Sequence, residues 1–252
     1  MKTNIKSKFL LPLLLVTFSF SNYVFAEQGI LKTITLDKEP VQIAINQKLN
    51  KIYITHKNDD SVTVIDGNTD TVETTFTING GPNGIAINKK NNRIYVVAED
   101  ENRLRIVNST DNSIIRSITV DSSPIAVAIN SRSGKAYVIN SESDTVSVID
   151  SRAKKVTRRI SVGDNPVDLA IDEGDEQIYV INQDSDDIYA IDGDNDNITA
   201  TASLEDRPHS IVFNSSNGKC YISDQADNKI FTAELDNGLF STTIKIDDFS
   251  GG

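Results

Sequence analysis

The chain holds two histidines, His56 and His209, and one cysteine, Cys220. Two imidazoles and a carboxylate suffice to ligate a divalent metal. Asp224 is the carboxylate the chain can bring to them, if its ends meet in space. His56, His209 and Asp224 are therefore the candidate metal site, and a divalent metal is the one cofactor it would hold. Neither histidine has the local spacing that assembles ligands on one helix or hairpin, so the site depends wholly on the fold. Asp192-Gly193-Asp194-Asn195-Asp196 resembles the start of a calcium loop. It has Asn197 where that loop needs its turn glycine and Ser203 where its bidentate glutamate belongs, so a hairpin turn is the favoured reading. Gln42, Asp168 and Ser210 form a third group, a candidate polar binding pocket, with simple solvation of a channel mouth the favoured reading. No nucleophile elbow, phosphate loop, zinc-protease helix or dinucleotide fingerprint is present, and no residue is assigned a catalytic role. Cys220 stands where the chain elsewhere has isoleucine (Ile52, Ile94, Ile178), which marks a buried, inert thiol.

What must position these residues is a repeat. Proline recurs at Pro40, Pro82, Pro124, Pro166 and Pro208, always 42 residues apart. Tyrosine recurs in the same step at Tyr53, Tyr95, Tyr137, Tyr179 and Tyr221, and a polar turn residue at Asp66, Asn108, Asp150, Asp192 and Glu234. Each unit holds four short runs of alternating or β-branched residues. An example set is Ile43-Ala44-Ile45-Asn46, Lys51-Ile52-Tyr53-Ile54 and Ser61-Val62-Thr63-Val64-Ile65, with Ile118-Thr119-Val120 showing the fourth run. Asn, Asp, Gly and Ser clusters separate the runs, which reads as strands and turns. Four strands in a repeat of this length make a propeller blade. A lone blade cannot bury both faces of its sheet, and a ring of blades can. The small residue at Ala44, Ala86, Ala128 and Ala170 suits a crowded inner strand, with Val212 the exception.

The expected fold is all-β: a β-propeller of five 42-residue, four-stranded blades plus an extra N-terminal strand. The blades span approximately 40–78, 82–120, 124–162, 166–204 and 208–246. The extra strand is residues 30–36, which match the fourth strand of a blade through Leu36, in register with Ile78, Val120, Val162, Leu204 and Ile246. Blade five has its own fourth strand at Thr242 to Ile246. A closed five-bladed monomer is the preferred arrangement, a strand-exchanged oligomer the other. Closure would make blades one and five neighbours and bring His56, His209 and Asp224 together. Gln42, Asp168 and Ser210, each two places after a repeat proline, would meet at the channel mouth.

The block proline, two residues, then Ile-Ala-Ile-Asn, followed by a Tyr-Val pair and Val-x-Val-Ile-Asp, resembles the YVTN-type β-propeller repeat. Tyr137-Val138-Ile139-Asn140 and Tyr179-Val180-Ile181-Asn182 are near copies of its tetrad, while Tyr53-Ile54-Thr55-His56, Tyr95-Val96-Val97-Ala98 and Tyr221-Ile222-Ser223-Asp224 depart at the fourth place. The resemblance covers about residues 30–248. It implies a secreted, periplasmic or surface-layer-like propeller, in a family mostly without a known reaction.

Residues 1–26 carry Lys2, Lys6 and Lys8, then an apolar run from Phe9 to Phe18, and end in Val24-Phe25-Ala26. This reads as a secretory signal peptide cleaved after Ala26, leaving residues 27–252 as a single propeller domain, periplasmic or secreted. No later stretch is apolar enough to span a membrane. The net charge is −11. Strong nucleic-acid binding is not expected, because neutralising phosphates needs clustered Lys and Arg. The loops joining fourth to first and second to third strands should share one face, rich in acids such as Asp100, Glu142, Asp164 and Asp184. The first-to-second loops, on the other face, carry Lys48, Lys89, Arg132 and Lys135, and blade four breaks that pattern with Asp172, Glu173, Asp175 and Glu176. An acidic face attracts a basic ligand or an envelope protein with a basic surface. It serves equally as a solvated rim that keeps the protein soluble. The expected function is a non-enzymatic platform for protein interaction or ligand binding. The alternative is a metal-assisted lyase or lactone hydrolase acting at the channel mouth.

Overall fold

The structure is a computed structural model; it describes residues 32–204, 207–224, 226 and 229–241. The signal sequence expected at 1–26 and the end of blade five at 242–246 lie outside the described residues. The described residues from Ile34 onward form one compact unit.

Among the described residues, twenty strands form five four-stranded antiparallel sheets, each a meander of four consecutive strands. The first strands are Ile43–Asn46, Pro82–Asn88, Pro124–Asn130, Pro166–Asp172 and Pro208–Asn214. The second strands are Lys51–His56, Arg93–Ala98, Lys135–Asn140, Gln177–Asn182 and Lys219–Asp224. The third are Ser61–Asp66, Arg103–Asn108, Thr145–Asp150, Asp187–Asp192 and Ile230–Asp236, and the fourth Thr71–Thr77, Ile114–Thr119, Lys155–Ser161, Asn197–Ser203 and Leu239–Ser241. The described part of the expected N-terminal strand, residues 32–36, has no strand assignment.

The register explains the sequence pattern. Four of the five repeat tyrosines pair across the ladder with the small residue of the first strand: Ala44 with Tyr53, Ala86 with Tyr95, Ala128 with Tyr137 and Ala170 with Tyr179; Tyr221 pairs with Val212. Space left by the alanine is taken by the ring, and Tyr53, Tyr95 and Tyr137 are fully buried. The repeated tyrosines are thus packing residues, each large side chain contributing about 1.5–3 kcal/mol on burial.

The polar punctuation is equally regular. In the first-to-second turns, the Oδ1 atoms of Asn88, Asn130, Asp172 and Asn214 accept backbone N–H groups from Lys90, Arg132, Gly174 and Ser216. In the third-to-fourth turns Asp66, Asn108, Asp150 and Asp192 do the same for Asn68, Thr110, Arg152 and Asp194. A side-chain oxygen two residues ahead of an N–H mimics a backbone turn, which is why Asn and Asp hold these places. The calcium-like run at Asp192 is therefore a hairpin turn, and its Asp196 pairs with Lys135 at 2.8 Å. Left-handed residues close the second-to-third turns at Asp60, Asn102, Asp144 and Asp186, again in 42-residue steps. Asn and Asp tolerate that backbone better than most L-residues.

Four core clusters hold successive blades together: one to two, two to three, three to four and four to five. Among the described residues no cluster joins blade five to blade one. Cys220 is buried in the last cluster, and burial pushes its thiol up to about 12.

Candidate functional site

All five blades contribute residues at or just before their first strands to one cavity of about 360 Å³. Gln42, Ala126, Asp168 and Ser210 occupy the same repeat position there, and Asn83, Ile125, Val167, Gln183 and His209 complete the wall. Gln42, Asp168 and Ser210 thus come together at the channel mouth. His209, assigned by sequence to a metal site, stands beside them. Larger cavities of about 400 and 550 Å³ open elsewhere, lined by first-to-second loop residues such as Lys48, Lys89 and Asp172 and by none of the expected metal or channel-mouth residues.

Gly84 is the repeat counterpart of Gln42 and Asp168. A Cβ there would stand 2.6 Å from the Ile125 carbonyl oxygen and 2.7 Å from Ala126 Cα. The inner strands of blades two and three approach too closely for any side chain at this point.

Asp168 is the charged centre of the cavity. Its Oδ2 accepts the Ser210 hydroxyl at 2.8 Å and the Ile211 N–H at 3.0 Å, and its Oδ1 accepts the Leu169 N–H at 2.8 Å. Two of these donors belong to blade five, so the carboxylate also ties blade four to blade five. Burial pushes its pKa upward; the three donors and nearby His209 work in the opposite direction. Around it, Gln42 and His209 are exposed and can turn toward a ligand. The Gln183 side chain donates to the Pro208 carbonyl and Asn83 to Glu99. Against the push of burial, bonds from Lys57 and Asn83 hold Glu99 below the usual carboxylate range.

The His56–His209–Asp224 metal set is not assembled. His56 is fully buried, with Nδ1 3.0 Å from the Glu39 carbonyl oxygen and Nε2 2.8 Å from Thr63 Oγ1. Thr63 continues the chain to Thr75 at 3.1 Å. Both ring nitrogens are engaged within blade one, leaving no lone pair for a metal. His209 is exposed at the channel mouth. Asp224 ends the second strand of blade five, where its Oδ1 accepts the Ala226 N–H. Among the described residues no group of three His, Cys, Asp or Glu side chains could hold a metal ion. A signal for the role of His56 lay in the repeat. Its counterparts Asn140 and Asn182 also bond across to the third strand, Asn140 to Ser147 at 3.0 Å and Asn182 to Asp187 at 2.7 Å.

Several acids of the second-to-third loops make structural contacts. Asp60 accepts the N–H groups of Gly80 and Gly81, Asp144 that of Asn165, and Asp186 that of Arg207. These carboxylates clasp the crossing to the next blade, and Asn102 does so for Ser123 without a charge. Glu101 and Asp121 pair with Arg105 and Arg159. Asp187 is pushed upward by burial, and Asp164 and Asp186 add to it while Asn182 and Ser185 oppose it. On the opposite face, blade four departs from its neighbours because its acids answer the bases of blade three: Arg132 meets Glu176 and bonds the Glu173 and Gly174 carbonyls.

Five consecutive four-stranded blades around a shared channel define a β-propeller. Its likeness to solved structures agrees. A chain of Kuenenia stuttgartiensis hydrazine synthase superposes with a TM-score of 0.76 at 18% identity, over 88% of this chain and 70% of that one. A chain of a mitotic checkpoint complex superposes with a TM-score of 0.73 at 9% identity, over 82% of this chain and 64% of that one. Identities this low carry the fold alone. No family model and no curated protein sequence matches the chain. Among the described residues no helix is long and apolar enough to cross a membrane.

Proposed function

We propose that the chain is an exported, non-enzymatic propeller of the YVTN-repeat kind that seats a basic group of a ligand or envelope protein at its channel mouth. The observation that supports this is a cavity to which all five blades contribute, with the Asp168 carboxylate in its wall. Amide and hydroxyl groups of Gln42, Asn83, Gln183 and Ser210 offer the hydrogen bonds that orient a ligand around that charge. The acids of the surrounding loops add a field of the same sign, effective over about 8 Å at physiological salt. The signal-like segment 1–26 supports an exported location.

The test is in-cell cross-linking of a tagged chain, compared with Asp168→Asn and with Gln42→Ala/Ser210→Ala. A dominant captured species that is lost in these variants, while their melting stays cooperative, supports the site. Capture that is equal in wild type and variants moves the interaction off the channel mouth and overturns the proposal.

A further inference from the structure

The end blades expose what the middle blades bury. In blades two to five, Ile85, Val127, Leu169 and Ile211 face the preceding blade and are 4–8% exposed. Their counterpart in blade one, Ile43, is 62% exposed, and Ile45 beside it 59%. The opposite face behaves the same way at the other end. Val62, Leu104, Val146 and Ile188 face the following blade and are fully buried, whereas their counterpart Ile230 is 42% exposed and Val212 is 60% exposed. Val212, Tyr221, Ser210, Ser223 and Ile230 line an open groove of about 170 Å³ on that face. Most of the exposed large apolar side chains of the described residues lie in blades one and five. Patches of this kind mark interaction sites.

The repeat specifies what fits them. At the junction of blades one and two, Tyr53, Val62 and Val64 receive Ile85, Ile94 and Val96. Blade five carries the counterparts of the first set, Tyr221 and Ile230 in the groove and Thr232 buried beneath it, and blade one those of the second, with Ile43 exposed, Ile52 half-buried and Ile54 buried. The two faces are thus the halves of a junction that the chain already makes four times. We propose that blade five of one chain stacks on blade one of a second copy, in a heterologous head-to-tail contact that repeats the internal junction. Such a contact gives a closed assembly where the rotation between copies closes and a linear one where it does not. It is independent of the channel-mouth proposal.

The test pairs two exposed substitutions, Ile43→Asp and Val212→Asp, with molar mass measured by sedimentation or light scattering up to about 100 µM, the range in which a modest interface shows. Wild type is expected to self-associate, and each variant to weaken this by about thirtyfold or more while keeping the wild-type melting temperature. Mixing the two variants is expected to restore one heterodimer, since Ile43→Asp retains its blade-five face and Val212→Asp its blade-one face. A wild type that stays monomeric throughout overturns the proposal. So does self-association that either variant retains, or a variant mixture that forms no dimer.

Discussion

Replacing His56 separates a structural imidazole from a ligand. The ring is fully buried, spans from the Glu39 carbonyl to Thr63, and continues to Thr75. His56→Ala removes two hydrogen bonds at about 0.5–1.5 kcal/mol each and leaves a ring-sized void, for a total near 3–5 kcal/mol. For a domain of this size each kcal/mol lowers the melting temperature by about 2–4 °C, so the fall is roughly 6–20 °C. His56→Asn is the informative partner. Asparagine already occupies the same repeat position at Asn140 and Asn182, where it reaches the third strand. It keeps the bond to Thr63, gives up the one to Glu39, and costs about 1–2 kcal/mol. Differential scanning fluorimetry with and without millimolar zinc or calcium reads both effects. The expected order is wild type, then Asn, then Ala, with no metal response in any of them. An alanine variant as stable as wild type, or an asparagine variant as damaged as alanine, would refute the hydrogen-bond account.

Three further outcomes follow from the same geometry. Burial raises the Asp168 pKa, so its charged form carries a folded-state penalty at neutral pH that fades as pH falls through the folded pKa toward the unfolded value near 3.9. Wild type should therefore gain stability relative to Asp168→Asn between about pH 7.5 and pH 4.5, and a constant difference in melting temperature across that window would exclude the burial effect. Gly84→Ala drives a methyl into the backbone of blade three and should cost about 1–3 kcal/mol, read as a lowered urea midpoint; an unchanged midpoint would show that the blades can part freely. Cys220, buried with its thiol pushed up to about 12, should react with a disulfide reagent only as fast as the protein opens, so native labelling at the rate of the urea-unfolded chain would contradict its burial.

Much of the fold was legible because a propeller repeats its local demands. Each turn needs an Asn or Asp oxygen or a left-handed residue at a fixed offset, and the sheets of blades one to four place an alanine across from a tyrosine. The 42-residue spacing of Asp66, Tyr53 and their copies reports those demands directly. The convergence of Gln42, Asp168 and Ser210 was legible for the same reason, since equal repeat positions fall at equal places on the channel. The environment of His56 was not. Nothing in a single histidine says that its nitrogens are engaged, and placing it near His209 required blades one and five to meet. Nor could the acids of the turns be divided by composition into those that clasp a backbone, such as Asp60 and Asp144, and those that face solvent. That division depends on hydrogen bonds between loops about twenty residues apart.

Since each apolar cluster joins a blade only to its chain neighbour, the molecule is connected like a short one-dimensional lattice. Unfolding then need not be all-or-none. Among the described residues, blades one and five each have one packed neighbour and blades two to four have two, so opening should begin at both ends and travel inward. Amide exchange would show this as a gradient, slowest at Val138 in the second strand of blade three and fastest at Ile45 and Ile230. Pairing of the end blades with another copy would flatten that gradient, so the protection profile itself would depend on protein concentration.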